Sequence, residues 1–445
     1  MKTTSLDAWI ARKTGCNTGS LSREHIEQYQ LNKLRETLRW VRERSPYYRA
    51  RLARWEPDEL ASLADLARLP FTRADDIRQQ VPGLLCVSQS EIARVVTLQS
   101  SGTTGEQKRL YFTRDDQELT LDFFQHGMST FVSPGQRVLI LLPGERPGSV
   151  GDLLSIALQR MGADPILHGL VRDVQTTIDI LRCEKPDCVV GMPAQLLWLA
   201  RCSTMRGMAR PRVESVLSTA DHTSKAVRHA VEEAWGCELY DHYGMTEMGL
   251  GGGVECQAHS GYHPREADLS LEIVEPSTGR LLPDGERGEV VFTTLTRRGM
   301  PLIRYRTGDL GRFIAEPCPC GTRLKTLEHV KSRVDGVVSL AEGCLLTMAD
   351  LDEALFPIEG LLGFKATLDR RQGSDTLTIE AETIEGAEKK VEKGIVQELS
   401  GIPALLDAEA VAGLDISVLV RAANASSGPP LGKRVIEDRR KLKVT

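Results

Sequence analysis

The sequence predicts an α/β fold, in which a large N-terminal domain with parallel-type sheets and a β-rich subdomain precedes a small α+β C-terminal domain. Over the first half of the chain, apolar strand-like runs alternate with helix-like runs, as in layered proteins with a mostly parallel sheet. After Gly249, apolar and polar residues alternate between turn signals, which favours antiparallel strands. We therefore expect an N-terminal domain over 1–332, its β-rich subdomain at about 250–330, and a mobile C-terminal domain over 333–445.

Composition is typical of a soluble globular protein and argues against several classes of partner. The 445 residues are 41% apolar and 26% charged, and the net charge is −5. This charge gives no reason to expect nucleic acid or an anionic membrane surface as a partner. The apolar stretches are too short to span a bilayer, and residues 1–15 contain no run of signal-peptide length. We expect a cytoplasmic protein.

Periodicity and boundary residues predict the individual elements. Residues 22–44 form a helix, because apolar residues recur there at helical spacing and Ser45-Pro46 ends the run. Thr113 and Asp116 form a capping box that opens a helix through about Phe131. By the same reasoning we expect strands at 138–142, 187–192, 215–219, 237–243, 269–274 and 289–294, and helices at 151–161, 194–200, 224–235, 349–355 and 387–399.

The loop at 99–109 reads Gln-Ser-Ser-Gly-Thr-Thr-Gly-Glu-Gln-Lys-Arg between two apolar runs. Such a short polar turn is able to aim backbone N–H groups, hydroxyls and the Lys108 ammonium at one anion. Gly102 and Gly105 permit the positive φ angles and close backbone approach that wrapping a phosphate requires. The loop lacks the glycine spacing and the ending of a Walker P-loop. The alternative interpretation is an ordinary hydrophilic hairpin loop.

Two further polar segments carry side chains suited to a nucleotide. Residues 241–247 read Asp-His-Tyr-Gly-Met-Thr-Glu after a predicted strand, where open α/β sheets place ligands. Their ring, hydroxyl and carboxylate suit a base, a phosphate and Mg²⁺. Residues 305–309 read Tyr-Arg-Thr-Gly-Asp, and Asp309 in this turn is able to accept hydrogen bonds from the vicinal hydroxyls of a ribose. The alternatives are a capped strand-to-loop turn and an Asx-type turn.

Two basic positions follow in the C-terminal part of the chain. Arg333 begins the last segment, and Gly432-Lys433-Arg434 follows a small-residue stretch at 426–430. A lysine on a mobile tip is able to enter a closed site and neutralise developing phosphate charge. The alternatives are a solvated surface arginine and a basic C-terminal tail.

In this order the five segments resemble the motifs of the acyl-adenylate-forming superfamily, which includes acyl-CoA synthetases, peptide-synthetase adenylation domains and luciferases. Within it the chain looks most similar to the phenylacetate-CoA ligase branch. The resemblance covers nearly the whole chain. The pointers to that branch are Ser45-Pro46-Tyr47-Tyr48, Leu69-Pro70-Phe71-Thr72 and the ending Gly432-Lys433-Arg434-Val435-Ile436-Glu437-Asp438-Arg439.

The resemblance implies a role for each motif residue. The loop over the β- and γ-phosphates of ATP would consist of Ser100, Ser101, Gly102, Thr103, Thr104, Gly105 and Lys108. Tyr243 would stack on adenine, with Gly244 in the same nucleotide-binding set, and Asp309 would bind the ribose hydroxyls. Thr246 would contact the α-phosphate and Glu247 would hold Mg²⁺. Arg333 would lie near the ribose and the domain hinge, and Lys433 would bridge the substrate carboxylate and the α-phosphate.

Cysteine and histidine spacing suggests a metal site. Cys256 precedes His263 by seven residues, and Cys318 and Cys320 form a C-x-C pair further along. Three sulfurs and one imidazole make a closed tetrahedral Zn²⁺ set. His259 is a competing ligand, and reduced thiols in a turn are the alternative. The ligase branch resembles this pattern, which implies a structural Zn²⁺ that pins the β-rich subdomain.

The predicted activity is therefore an ATP-dependent acid–thiol ligase that forms an acyl-AMP and then a thioester with CoA as co-substrate. An aryl or arylacetic acid is the substrate expected by analogy. The first alternative is an adenylate-forming enzyme with another acceptor, either a carrier-protein thiol or a deazaflavin cofactor. The second is a catalytically silent scaffold that binds ATP and zinc. The identity of the acid stays open, and so does a homodimer.

Overall fold

The computed structural model describes residues 2–98, 107–205, 210–371, 374–424 and 427–442. The predicted phosphate-loop residues Ser100, Ser101, Gly102, Thr103, Thr104 and Gly105 lie outside these described residues. Within the described ranges, no helix combines the length and the apolar composition that crossing a bilayer requires.

Helices and strands alternate along much of the described chain. The α-helices are α1 (Ser5–Thr14), α2 (Arg23–Arg44), α3 (Pro46–Arg51), α4 (Ala74–Gln79), α5 (Val81–Leu84), α6 (Arg114–Met128), α7 (Val150–Arg160), α8 (Val174–Glu184), α9 (Pro193–Met205), α10 (Lys225–Trp235), α11 (Met348–Leu355), α12 (Glu388–Leu399) and α13 (Pro403–Ala412). The strands are β1 (Ile92–Leu98), β2 (Lys108–Thr113), β3 (Arg137–Ile140), β4 (Asp164–Leu167), β5 (Cys188–Gly191), β6 (Ser215–Thr219), β7 (Glu238–Tyr243), β8 (Gly253–Glu255), β9 (Tyr262–Pro264), β10 (Leu269–Val274), β11 (Gly288–Thr294), β12 (Tyr305–Gly311), β13 (Ser332–Arg333), β14 (Val338–Ala341), β15 (Cys344–Leu346), β16 (Leu361–Arg371), β17 (Ser374–Thr383), β18 (Asp415–Ala422) and β19 (Ile436–Asp438).

The predicted α/β class is confirmed, and the predicted elements are present with shifts of up to five residues at their ends. The capping box is present, since Thr113 Oγ1 accepts from the Asp116 N–H at 3.0 Å and Asp116 Oδ2 accepts from the Thr113 N–H at 3.0 Å. The helix it opens ends at Met128, before the predicted Phe131, because the next residues form turns back to Gly127 and Met128. The sequence analysis did not predict α1, α8, α13 or the β16–β17 hairpin.

Contacts divide the chain into two compact units. Unit 1 consists of 1–135, 144–164 and 240–330, and unit 2 consists of 136–143, 165–239 and 331–445. The predicted domain division after residue 332 stays a prediction.

Unit 1 holds antiparallel strands around one apolar core. Strands β1 and β2 form a hairpin in which Leu98 pairs with Lys108. Strands β10, β11 and β12 are antiparallel neighbours in that order, and Phe292 of β11 faces Tyr305 of β12. Buried residues of α2, including Leu34, belong to the same core as Phe292 and Tyr305. This packing fixes β12, which carries several candidate site residues.

Unit 2 combines a parallel sheet with the C-terminal α+β segment. Strands β3, β5 and β6 are parallel, as predicted, with Val189 opposite Val216. In the C-terminal segment the strand order is β18-β17-β16-β19, with only the β16–β17 pair antiparallel. One hydrophobic core contains Leu197 of α9, Phe364 of β16 and Ile395 of α12. The C-terminal segment therefore packs on the parallel sheet's helices within this unit.

A buried ion pair stabilises unit 1 next to β12. Arg304 donates from Nε and Nη2 to the Glu272 carboxylate at 3.0 and 2.9 Å, and from Nη1 to the Leu69 carbonyl at 2.7 Å. Its guanidinium lies 4.1 Å from the centre of the Phe71 ring. Burial raises the pKa of Glu272, although Arg304 opposes this shift. A carboxylate in such a place depends on its cation.

We expect Arg304→Met to lower the free energy of unfolding by about 3–5 kcal/mol, because Glu272 is left buried without its cation. Denaturant unfolding measures this loss. The pKa of Glu272 should rise further in the variant, and protonation then relieves the unpaired charge, so the deficit should be larger at pH 8 than at pH 5. Arg280→Met removes an exposed arginine and is the control. Equal stability of the two variants would contradict this interpretation.

Candidate active site and metal centre

Lys108, Glu247 and Tyr305 meet within unit 1. Lys108 is the first residue of β2 and forms an ion pair with Glu247. The Tyr305 hydroxyl donates to Glu247 Oε1 at 3.0 Å, and the Lys108 ammonium lies 3.4 Å from the same hydroxyl. The side chains of Lys108 and Glu247 are only 15% and 6% exposed. The ammonium and the carboxylate therefore neutralise each other in a largely water-free place.

The loop that carries Glu247 is fixed by an arginine and by glycines. Arg297 donates to the Glu247 carbonyl at 2.7 Å, and its guanidinium lies 4.3 Å from the centre of the Phe112 ring. Burial lowers the pKa of Arg297. A Cβ on Gly244 would lie 2.1 Å from the Leu250 carbonyl oxygen, and one on Gly251 would lie 2.3 Å from the Phe123 ring. Only glycine permits this close packing. Thr246 begins the short 3₁₀ turn that contains Glu247.

Tyr243 and Asp309 form a second pair in unit 1. The Tyr243 hydroxyl donates to Asp309 Oδ2 at 2.9 Å, and the Tyr243 ring stacks on Tyr262 with 5.7 Å between ring centres. Thr307 Oγ1 accepts from the Asp309 N–H at 2.9 Å and donates to the Val290 carbonyl at 2.6 Å. Asp309 is therefore fixed at its backbone N–H by Thr307 and at its carboxylate by Tyr243, which together hold the carboxylate in one orientation.

His242 directly precedes Tyr243 on β7, and its low pKa makes the ring neutral at pH 7. Burial and the nearby Arg265 guanidinium lower the pKa of His242 to about 4. Its ring lies 6.1 and 6.4 Å from the ring centres of Phe123 and Phe124 on α6. This histidine is therefore buried among aromatic side chains, with the Arg265 guanidinium nearby.

Arg333 and Lys433 belong to unit 2. Arg333 lies in β13 and donates from Nε to Asp335 at 3.0 Å. Lys433 is exposed in the segment that links β18 to β19. Of the predicted site residues, the structure thus joins Lys108 with Glu247 and Tyr243 with Asp309, all in unit 1.

Cys256, His263, Cys318 and Cys320 form a buried cluster in unit 1, and their ligand atoms lie within 4.8 Å of one another. The Nδ1–H of His263 donates to the Lys325 carbonyl at 3.2 Å. Because Nδ1 carries the proton in this bond, Nε2 is available to face the sulfurs. Nε2 lies 3.4 Å from Cys256 Sγ and 3.6 Å from Cys320 Sγ. Buried thiols around an imidazole of fixed tautomer are the donor set that Zn²⁺ prefers.

Two turns bring the four cluster residues together. The β8–β9 hairpin pairs Val254 with His263, and Cys256 follows β8 directly. A turn in which the Gly321 N–H donates to the Cys318 carbonyl at 3.0 Å places Cys318 and Cys320. His259 is not in the cluster, since its Nδ1 lies 3.1 Å from Glu255 Oε2. Of the two candidate histidines, His263 is the one placed among the sulfurs.

Comparison with known proteins now identifies the family. The sequence matches the model of the AMP-binding enzyme family over residues 76–295. It is 30% identical over 386 residues to phenylacetate-coenzyme A ligase of Thermus thermophilus, covering 84% of this chain and 82% of that protein. The chain belongs to the phenylacetate-coenzyme A ligase family. The resemblance inferred from the motifs is therefore confirmed.

Another member of the family agrees with this placement, and a solved structure matches the fold. The ligase of Aromatoleum evansii is 30% identical over 384 residues, covering 81% of this chain and 82% of that protein. A crystal structure of 2-hydroxyisobutyryl-CoA ligase in the postadenylation state matches the fold with a TM-score of 0.77 at 22% identity, covering 92% of this chain and 89% of that one. This likeness shows the adenylate-forming fold.

Sequence reasoning missed two residues that hold the family's motif segments in place. Tyr305 was part of a motif, but its hydrogen bond to Glu247 joins β12 to a 3₁₀ turn that is distant in the sequence. Arg297 lies in a charged turn after β11 and carried no local signal. A search for aromatic hydroxyls inside the motifs would have found Tyr305, whereas Arg297 needed the fold.

Proposed function

We propose that this protein is an ATP-dependent carboxylic acid–CoA ligase that acts on an aryl or arylacetic acid. A substrate carboxylate oxygen attacks the α-phosphorus of ATP, pyrophosphate leaves, and the CoA thiolate then attacks the acyl carbon and expels AMP. The observation that carries the proposal is the assembly of the Lys108–Glu247–Tyr305 and Tyr243–Asp309 clusters within a member of this ligase family. The arylacetic substrate is supported by the names of the relatives.

Each cluster supports one part of nucleotide binding. Asp309 offers an oriented carboxylate to the ribose hydroxyls, and Tyr243 has the ring for stacking on adenine. Thr246, at the start of the 3₁₀ turn, contacts the α-phosphate of ATP. When ATP binds, the Lys108 ammonium leaves Glu247 and pairs with the ATP phosphates. Glu247 is then the ligand for Mg²⁺, which offsets phosphate charge when bound. By its resemblance to the family motif, Arg333 is the residue proposed to lie near the ribose.

Lys433 is the residue that stabilises charge during adenylate formation in this proposal. The carboxylate and the triphosphate are both anionic, so a positioned ammonium lowers the barrier by stabilising charge at the α-phosphate. Lys433 is exposed, and the backbone on either side of it is held by Gln195 and Asp221.

We expect Lys433→Ala to lower acid-dependent exchange of pyrophosphate into ATP by about 10²–10³-fold, since a charge-stabilising donor is lost. The assay runs over a panel of aryl, arylacetic and short aliphatic acids. Arg439→Ala removes an exposed arginine from the same C-terminal stretch and should leave exchange unchanged. Thioester should appear only when CoA is added.

Other outcomes separate the competing functions. Exchange without any CoA thioester, across the whole panel, would point to a carrier-protein thiol or a deazaflavin cofactor as acceptor. Absence of exchange in the unmodified protein, with ATP still bound, would point to a silent scaffold.

We expect Glu247→Gln to raise the Mg²⁺ concentration required for half-maximal exchange about tenfold or more, because a charged oxygen ligand is lost. Exchange is measured against Mg²⁺ concentration at saturating ATP. Glu286→Gln changes an exposed glutamate of unit 1 and is the matched control. The same Mg²⁺ requirement in both variants would remove Glu247 from the metal site.

We propose that Cys256, His263, Cys318 and Cys320 hold a structural Zn²⁺. All four positions come from the protein, so no ligand position is left for chemistry. The ion would join the β8–β9 hairpin to the turn at 318–321.

Metal analysis of the purified protein is expected to find about one Zn²⁺ per chain, with a clear loss of zinc and of thermal stability in Cys318→Ser. Cys183→Ser changes an exposed free cysteine and should keep the metal. His259→Ala should also keep it, whereas His263→Ala should not. Full zinc content in both Cys318→Ser and His263→Ala would exclude this site.

A further inference from the structure

The segment that contains Lys433 is held on both sides of the lysine by side chains from the part of unit 2 that contains the parallel sheet and its helices. The segment links β18 to β19, and Lys433 itself is exposed within it. The anchors are Gln195 on the N-terminal side and Asp221 on the C-terminal side. Both contacts are made to backbone atoms, so they fix the path of the chain rather than a side chain.

Gln195 holds the chain three residues before the lysine. This glutamine lies on α9 and is fully buried. Its Nε2 donates to the Pro430 carbonyl at 3.1 Å, and its Oε1 accepts from the Val171 N–H at 3.3 Å. The second bond fixes the orientation of the amide, so Nε2 is directed at the Pro430 carbonyl.

Asp221 holds the chain one residue after the lysine. It follows β6, and its Oδ2 accepts from the Arg434 N–H at 2.9 Å. Its Oδ1 accepts from the His222 N–H at 2.9 Å, which fixes the carboxylate. The preceding Ala220 has φ of 74°, in the left-handed region that non-glycine residues rarely occupy. The turn is therefore held in an uncommon conformation while presenting this acceptor.

The Arg434 side chain fixes the same segment to the C-terminal α+β segment. Its guanidinium forms an ion pair with Asp352 of α11, and both side chains are only 7% exposed. Nη2 donates to the Phe364 carbonyl at 3.2 Å, and the group lies 4.7 and 4.3 Å from the ring centres of Phe356 and Phe364. Arg434, the residue after Lys433, thus contacts both Asp221 beside the parallel sheet and the C-terminal α+β segment of unit 2.

We propose that Gln195, Asp221 and Arg434 are positioning residues that hold Lys433 for adenylate formation. This inference rests on the proposed function. Lys433 stabilises charge at the α-phosphate, and that charge develops only while pyrophosphate leaves. Attack of CoA on a preformed acyl-AMP requires no such ammonium. The anchors therefore matter for the first half-reaction and not for the second.

The two half-reactions are measured separately in the full chain. Acid-dependent pyrophosphate exchange reports the first, and CoA thioester formation from chemically prepared acyl-AMP reports the second. We expect Asp221→Ala to lower exchange about tenfold, the effect of losing one charge-assisted hydrogen bond, and to change thioester formation less than twofold. Asp407→Ala removes an exposed aspartate of α13 and should change neither rate.

A double-mutant cycle with Lys433→Ala tests whether the anchor acts through the lysine. Asp221→Ala should have no further effect on exchange in the Lys433→Ala background. Asp221→Asn keeps an oxygen acceptor and should retain more exchange than Asp221→Ala. Arg434→Lys keeps the cation but not the planar guanidinium. It should lower pyrophosphate exchange and leave thioester formation from acyl-AMP unchanged.

Equal loss of both half-reactions in folded Asp221→Ala would overturn the inference, as would a further loss of exchange in the double variant. Thermal unfolding shows which variants are folded, and Asp221→Asn decides the question if the alanine variant is not. An unmodified protein without any exchange would instead reject the proposed function. Normal exchange in folded Asp221→Ala would reject the positioning role of Asp221 but not the proposed ligase function.

Discussion

Unit 1 is constrained above all by carboxylates that are removed from water, because each one requires a partner. Glu247, Asp309 and Glu272 are only 5%, 4% and 6% exposed. Burying a carboxylate costs several kcal/mol unless a cation or hydroxyl donors satisfy it. Each of the three carboxylates has one link to β12 or to the residue before it, while Lys108 of β2 and Tyr243 of β7 complete the contacts of Glu247 and Asp309. The alternation of β12 places Tyr305 and Asp309 on the buried face, while Arg304 precedes the strand and pairs with Glu272. The register of β12 therefore sets the candidate active site.

Local sequence was sufficient for the parts of the fold and of the site that depend on short-range pattern. The capping box at Thr113, the helix at 22–44 and the strands at 269–274 and 289–294 are visible in a few consecutive residues. The order of the motif segments was also sufficient to place the family. Nothing local could indicate Arg297 or Gln195, because each acts on a chain segment far away in the sequence.

The β16–β17 hairpin shows why dense charge hides a strand. In β16, Phe364, Ala366 and Leu368 are buried at every second position, with polar residues between them. This alternation is the signal of a half-buried strand. The sequence analysis assigned no element to this region, where the strand runs directly into the charged residues Asp369, Arg370 and Arg371. The exposed face of a strand tolerates any charge, so composition alone was a poor guide to this region.

The contacts around Lys433 differ in strength in a way that suits a two-step reaction. The Arg434–Asp352 pair is buried, and breaking such a pair costs about 3–5 kcal/mol, so the lysine segment stays bound to α11 and β16. Of its other two bonds, the neutral one from Gln195 is worth about 0.5–1.5 kcal/mol and the one to the Asp221 carboxylate about 1.5–3 kcal/mol. Because each of these bonds is weaker than the buried pair, the proposed function predicts that they open one at a time, ahead of the Arg434–Asp352 pair, in a conformational step before thioester formation. A second buried ion pair in place of Gln195 and Asp221 would align Lys433 as well but would slow its release. The weakness of the anchors is therefore part of how the segment would serve one half-reaction and leave the other free.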